Sequence, residues 1–148
     1  MTFSTKTPEQ TKELAARFAS TLQGGELLAL EGELGSGKTT FVQGLGEALE
    51  TNASVRSPSF TLMNVYPTNH PTIKFLVHLD CYRLGPSCSL EQLELEEWLE
   101  RPDVVIAIEW PPDHLPAKET SFCITFKMND DRTRNLSFFP EPPSLQKA

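Results

Sequence analysis

Basic residues are scarce in this chain: 13 lysines and arginines stand against 20 aspartates and glutamates, for a formal net charge of −7. A surface of that sign does not grip nucleic acid unaided, because such binding rests on cations that neutralise phosphates. If RNA is involved, partners must supply the basic surface. Cysteine is also rare. The three present, Cys81, Cys88 and Cys123, make an odd count without CxxC spacing, which argues against a zinc site or a disulfide framework and for reduced thiols in a cytosolic core. Long apolar runs are missing: no stretch approaches the roughly 18 residues of a membrane span. Met1 to Lys6 lacks the apolar centre of a signal peptide. The chain is therefore expected in the cytoplasm.

What is present suffices for one core. With 148 residues, 39% of them hydrophobic, a single domain over residues 1–139 can bury its apolar side chains without disulfides. Residues 140–148 carry Pro140, Pro142 and Pro143 with few core formers and are expected to be a flexible C-terminal tail.

Thr7-Pro8-Glu9-Gln10 reads as an N-cap, a proline at the first helical position and a capping-box glutamine. The helix it opens should run to about Leu22, burying Leu14, Ala15, Phe18, Ala19 and Leu22 along one face before Gly24-Gly25 stops it. Leu27 to Leu30 is a short apolar strand ahead of a glycine-rich turn, after which Phe41, Val42, Leu45, Ala48 and Leu49 repeat with helical period. Phe60 to Tyr66 and Ile73 to Leu79 look like strands, and the breakers Pro67 to Pro71 between them suit a hairpin. Ser89 starts a further helix reaching Trp98 and Leu99. Val104 to Ile108 is the most apolar strand, suited to the middle of a sheet covered on both faces. Two late strands lie near Ser121 to Lys127 and Arg134 to Phe139.

The turn Gly32-Glu33-Leu34-Gly35-Ser36-Gly37-Lys38-Thr39 matches G-x-x-x-x-G-K-[ST] at every specified position, between a strand and a helix as that motif requires. Its glycines let the backbone wrap so that successive N–H groups face phosphate oxygens, and the following helix adds its positive dipole end. Lys38 would reach the β and γ phosphates, and the hydroxyl of Thr39 would ligate Mg²⁺.

A magnesium site needs a carboxylate near a neighbouring strand end, and two are available: Asp80 after Phe75 to Leu79, and Glu109 after Val104 to Ile108. One can hold the metal or its waters while the other orients the attacking water or completes the metal shell. The bland reading of either is a structural acid at a strand end. Between loop and Asp80, Ser57-Pro58-Ser59-Phe60-Thr61 is a hydroxyl-rich turn, read equally well as a γ-phosphate-sensing switch or as a β-turn leading into a strand. His70, His78 and His114 are scattered and read as surface or packing residues. Arg83, Arg132 and Arg134 could touch phosphate, base or a partner, or simply pair with the plentiful carboxylates.

There is no Asn-Lys-x-Asp stretch for guanine, which favours ATP over GTP, and no Leu-Ser-Gly-Gly-Gln stretch. Three classes remain: a partner-controlled ATPase, a small-molecule kinase of P-loop type, and a silent nucleotide-binding module. The sequence resembles the bacterial TsaE (YjeE) family over about Thr7 to Leu136. The resemblance is carried by Glu33 to Thr40, by Ser57 to Leu62, by His78-Leu79-Asp80-Cys81-Tyr82-Arg83-Leu84, by the Leu-Glu-rich helix after Leu90, and by Ile108-Glu109-Trp110-Pro111. This chain departs from the pattern at Ser36 and Ser59, which keep a small residue and a hydroxyl, and at Gly85-Pro86-Ser87-Cys88.

The resemblance implies an α/β fold: a small single-domain P-loop NTPase, with a mostly parallel central sheet flanked by helices and some antiparallel strands. It implies an ATPase, slow alone, that uses ATP and Mg²⁺ and acts with the partner proteins TsaB and TsaD. In that system TsaD transfers a threonylcarbamoyl group to adenosine 37 of tRNAs reading ANN codons, so tRNA is met only through the complex. The positions implied are Gly35, Ser36, Gly37, Lys38, Thr39 and Thr40 for phosphate, Thr39 and Glu109 for Mg²⁺, and Asp80 as the Walker-B-like acid. Glu9 and Arg132 correspond to an early first-helix position and a late arginine near the nucleotide.

Overall fold

Thr7 caps the first helix as its sequence requires: its hydroxyl accepts from the Gln10 amide at 3.1 Å, and the Gln10 side chain returns to the Lys6 amide at 2.7 Å. Two orphan donors are thereby satisfied. The computed structural model describes residues 1–58, 62–89, 93–115 and 120–146. Helix α1 spans Pro8–Ala19. It ends before the glycines, and the chain turns through Gly24 and Gly25, whose amide neighbourhood is closed by buried Glu26 accepting from the Gln23 and Gly24 amides at 2.9 and 2.8 Å.

Strands β1 (Thr2–Thr5), β2 (Leu27–Gly32), β3 (Met63–Pro67), β4 (Phe75–Asp80), β5 (Val104–Glu109), β6 (Phe122–Met128) and β7 (Arg134–Phe139) form one sheet in the order β1-β7-β6-β2-β5-β4-β3. The centre is parallel, β6 to β2 to β5 to β4, and the flanking pairs are antiparallel. The expected α/β class holds, as does the β3–β4 hairpin. Its turn is capped by His70, whose Nδ1 accepts from the Thr72 and Ile73 amides at 3.2 and 3.1 Å. Every residue of β5 is buried, because it lies between two parallel neighbours with both faces covered.

Helices α1 and α2 (Lys38–Leu49) cover one face. A Cβ on Gly44 would lie 2.8 Å from both the Lys12 Cα and the Ala15 Cβ, so only glycine lets the two helices approach this closely. Below them Phe18 packs at the centre of an aromatic cluster, its ring 5.2 to 5.8 Å from those of Phe41, Phe122 and Phe138. The opposite face buries Val77, Leu79, Val104, Ile106 and Ile108 against the segment that follows β4, including Cys81, Cys88, Leu93 and Leu95. The thiols are free, and burial, with Cys88 and Asp80 adding to it, pushes the Cys81 pKa up to about 12.

One strand is unexpected, and two expectations need correction. The polar strand β1 escapes any periodicity argument and forms by pairing with β7. The single helix from Ser89 is interrupted: Glu94 has a positive φ, and the described helix α3 is only Glu96–Leu99. Residues 90–92 lie outside the described residues. The flexible tail is instead docked over Pro143–Leu145, a 3₁₀ turn whose Leu145 is 1% exposed in the α1 core and whose Ser144 amide donates to Thr21 Oγ1 at 3.0 Å. One leucine reaching an apolar gap outweighs the disordering effect of the prolines. Leu145→Ala is expected to cost about 2 kcal/mol and to lower Tm by about 6 °C in a thermal melt; an unchanged Tm would mean that the tail contributes nothing to the core. Among the described residues no helix is long and apolar enough to cross a membrane.

Candidate nucleotide-binding site

The loop between β2 and α2 begins at the carboxyl end of a central parallel strand, where ligands of open α/β sheets collect. Gly35 and Gly37 have φ of 78° and 104°, a region that only glycine occupies without strain. Gly37 is also the N-cap of α2 and offers no side-chain acceptor. The first-turn N–H groups of a twelve-residue helix are thus left without a side-chain cap, and they carry the positive end of its dipole.

Strand register places the two acids. Asp80 and Glu109 are direct partners in the parallel β4–β5 pair, and Glu109 is opposite Leu30 of β2. Alternation puts Asp80 on the face of Leu76, and Glu109 on that of Val105 and Ala107, which is the face covered by α1 and α2. Glu109 is 3% exposed. The Thr39 hydroxyl lies 2.9 Å from each of its carboxylate oxygens. That hydroxyl has one hydrogen to share between them, so Ser57 Oγ, 3.3 Å from Thr39 Oγ1, is the donor on the other side. His78 Nε2 lies 2.5 Å from Glu109 Oε2, and the ring is fully buried.

Lys38 is 4% exposed and folds back onto its own loop, donating to the Gly32 carbonyl and, at 3.0 Å, to that of Glu33. Its ammonium also lies 4.1 Å from the centre of the Trp110 ring, which Tyr82 packs against at 4.9 Å. Burial lowers the Lys38 pKa, while the charges of Glu109 and Asp80 oppose that shift.

A cavity of about 320 Å³ opens over these groups, large enough for a small ligand. Gly35, Ser36, Gly37, Lys38, Thr39, Thr40, Asp80 and Glu109 all line it. Ser36 Oγ is buried there without a hydrogen-bond partner among the described residues. Ser57 also lines it, while Ser59 and Thr61 of the same hydroxyl-rich turn lie outside the described residues. Glu9 and Arg132 are not on the cavity wall. Thr5, Lys6, Thr7, Pro8 and Thr11 represent the first helix there. The arginine is Arg134, which donates to the Gly35 carbonyl at 3.1 Å. Arg132 has a positive φ in the β6–β7 turn and gives its carbonyl to Arg134. In a hairpin, residues two apart share a face, but the turn breaks that rule, so spacing alone could not choose between the two arginines. Trp110 belongs to the Ile108-Glu109-Trp110-Pro111 motif, but nothing in the sequence points to its place against Lys38. Arg83 and His114 are exposed.

The site also suits a hard divalent cation. It offers a hydroxyl and two carboxylates at the head of a phosphate-type loop, and Mg²⁺ is held by one or two carboxylates together with phosphates and water rather than in an all-protein cage.

A G-x-x-x-x-G-K-T loop joining a central parallel strand to an uncapped helix, with two acids on adjacent strand ends, defines a small α/β domain of the P-loop NTPase fold. The family profile described as "Threonylcarbamoyl adenosine biosynthesis protein TsaE" matches residues 5–136. Proteins named tRNA threonylcarbamoyladenosine biosynthesis protein TsaE are similar to the chain. The one from a Nostoc species is 37% identical over 89% of this chain and 81% of its own. That from Bacillus subtilis is 34% identical over 90% and 82%, and that from Aquifex aeolicus 40% identical over 68% and 80%. The crystal structure of YdiB from Bacillus subtilis superposes with a TM-score of 0.69 at 30% identity, covering 93% of this chain and 83% of that one. The chain belongs to the TsaE family.

Proposed function

We propose that this protein is a Mg²⁺-dependent ATP-binding protein and ATPase of the cytoplasm. It serves the formation of N6-threonylcarbamoyladenosine at position 37 of tRNAs reading ANN codons, acting with TsaB and TsaD. The observation that carries the reading is the convergence of Lys38, Thr39, Asp80 and Glu109 on one cavity at the head of α2. Family membership supports the role in tRNA modification.

In this reading the loop N–H groups from Gly35 to Thr40 hold the phosphates. Lys38 leaves the Gly32 and Glu33 carbonyls for the β and γ oxygens. Thr39 and Glu109 hold the metal, and Asp80 orients water or completes the shell. Bound Mg²⁺ supplies neutralisation of the phosphate charge. The threonylcarbamoyl transfer itself belongs to TsaD, and tRNA is met only within the complex.

Asp80→Asn and Glu109→Gln are each expected to lower Mg²⁺-dependent hydrolysis at least about tenfold, a barrier increase of about 1.4 kcal/mol. Nucleotide affinity in EDTA should stay within about twofold. Equal loss in both assays would indicate a folding defect and count against the assignment. Phosphate release without any phosphorylated acceptor separates this reading from a small-molecule kinase, whose ADP formation would depend on the acceptor.

A further inference from the structure

Glu109 is an expensive residue to bury. A carboxylate at 3% exposure costs several kcal/mol unless hydrogen bonds replace its water. Its recorded partners are the Thr39 hydroxyl, whose single hydrogen is shared between both oxygens, and the imidazole of His78 on Oε2. Lys38 spends its hydrogen bonds on the Gly32 and Glu33 carbonyls instead.

The strand pairing explains how the imidazole arrives there. His78 lies opposite Ala107, one step below the Asp80–Glu109 pair on the same face. Ala107, directly across the strand pair, carries only a methyl group, and the His78 ring reaches Glu109. With the hydrogen on Nε2, donated to the carboxylate, Nδ1 is a bare lone pair; it has no partner among the described residues and costs less unpaired than an N–H would.

Stability does not account for this arrangement. A leucine at position 78 would extend the core of Leu76, and buried polar pairs are often neutral or worse than apolar residues of the same volume. What the pair does provide is a carboxylate with one fixed rotamer, aimed at Thr39. We propose that His78 is a positioning residue, holding the Glu109 carboxylate so that it and the Thr39 hydroxyl present their remaining lone pairs together to the cation. The inference rests on the assignment of Glu109 to the Mg²⁺ site.

His78→Gln and His78→Asn test it, because they share amide chemistry and differ in reach: the glutamine nitrogen can stand near the place of Nε2, whereas the asparagine nitrogen stops near that of Nδ1. His78→Asn is expected to need about tenfold more Mg²⁺ for half-maximal metal-dependent nucleotide binding, the lower end of the cost of losing a partner of a metal ligand, and to lose kcat. Its affinity in EDTA should not change. His78→Gln should stay within about threefold of wild type, and the difference between the two should vanish in a Glu109→Gln background. Equal behaviour of the two variants, whether intact or impaired, would reduce His78 to packing and overturn the proposal. If Glu109→Gln alone leaves the Mg²⁺ dependence intact, the assignment of Glu109 fails instead. Should neither variant fold, the His78 Nε2–H proton resonance decides: it should lie far downfield in wild type and move upfield in Glu109→Gln, and an unmoved resonance overturns the proposal.

Discussion

Lys38→Ala is expected to raise the Kd for ATP about a hundredfold, about 2.7 kcal/mol, in a fluorescent-nucleotide titration. The ammonium is the cation nearest the loop interior, and the environment that receives it is built for one charge: two loop carbonyls, the face of Trp110, and the two carboxylates beyond. Truncation removes the only loop side chain able to meet phosphate oxygens with a full charge, and within the loop the backbone N–H groups and hydroxyls remain. The effect should be larger for ATP than for ADP, since the lost contact reaches the γ phosphate. Lys38→Arg should not rescue it, because a planar guanidinium does not fit where a compact ammonium is held. Unchanged affinity, with an unchanged thermal melt, would mean that the loop does not hold a nucleotide.

Legibility from sequence followed the range of the interactions. The α1 start, the loop and the β5 strand are set by neighbours within a few residues, and each stands where its capping, glycine spacing or apolar run puts it. The carboxylates could be named because an acid directly after an apolar strand falls at the strand's end. Strand β1 has no such signature: Thr2, Ser4 and Thr5 are polar, and the strand exists because β7 offers hydrogen bonds to it. The docking of Leu145 against α1 is likewise a contact across the whole length of the chain. In the sequence His78 reads only as a surface or packing residue; it is buried, but its partner lies 31 positions away, and only the β4–β5 register brings the two together. Arg134 took the place on the cavity wall expected of Arg132 because the β6–β7 turn, with its positive φ at Arg132, redirects the chain at that residue.

In a reconstituted system with TsaB and TsaD from the same source, wild type is expected to support threonylcarbamoyladenosine formation over repeated cycles, while Glu109→Ala stops near one product per complex. The geometry motivates this. The cavity rim carries Leu34 at 63% exposure, and Tyr82, packed at a tilt against the lining Trp110, is 53% exposed. A site open on that side leaves water free around the phosphates, so turnover alone should be slow. A partner that covers Leu34 and Tyr82 buries apolar surface while it excludes water, and so adds catalytic geometry that the isolated chain lacks. Glu109→Ala removes the acceptor of both Thr39 and His78 and leaves the loop backbone and Lys38 in place, so metal-free nucleotide binding and assembly should survive while hydrolysis is lost. The ATPase rate of wild type should rise on adding TsaB and TsaD together, and that of Glu109→Ala should not. If the variant hydrolyses no ATP yet completes as many modification cycles as wild type, hydrolysis does not drive the cycle and the proposed role fails. If its first round is also missing, Glu109 is needed for assembly rather than for turnover, which a pull-down with ATP present would show directly.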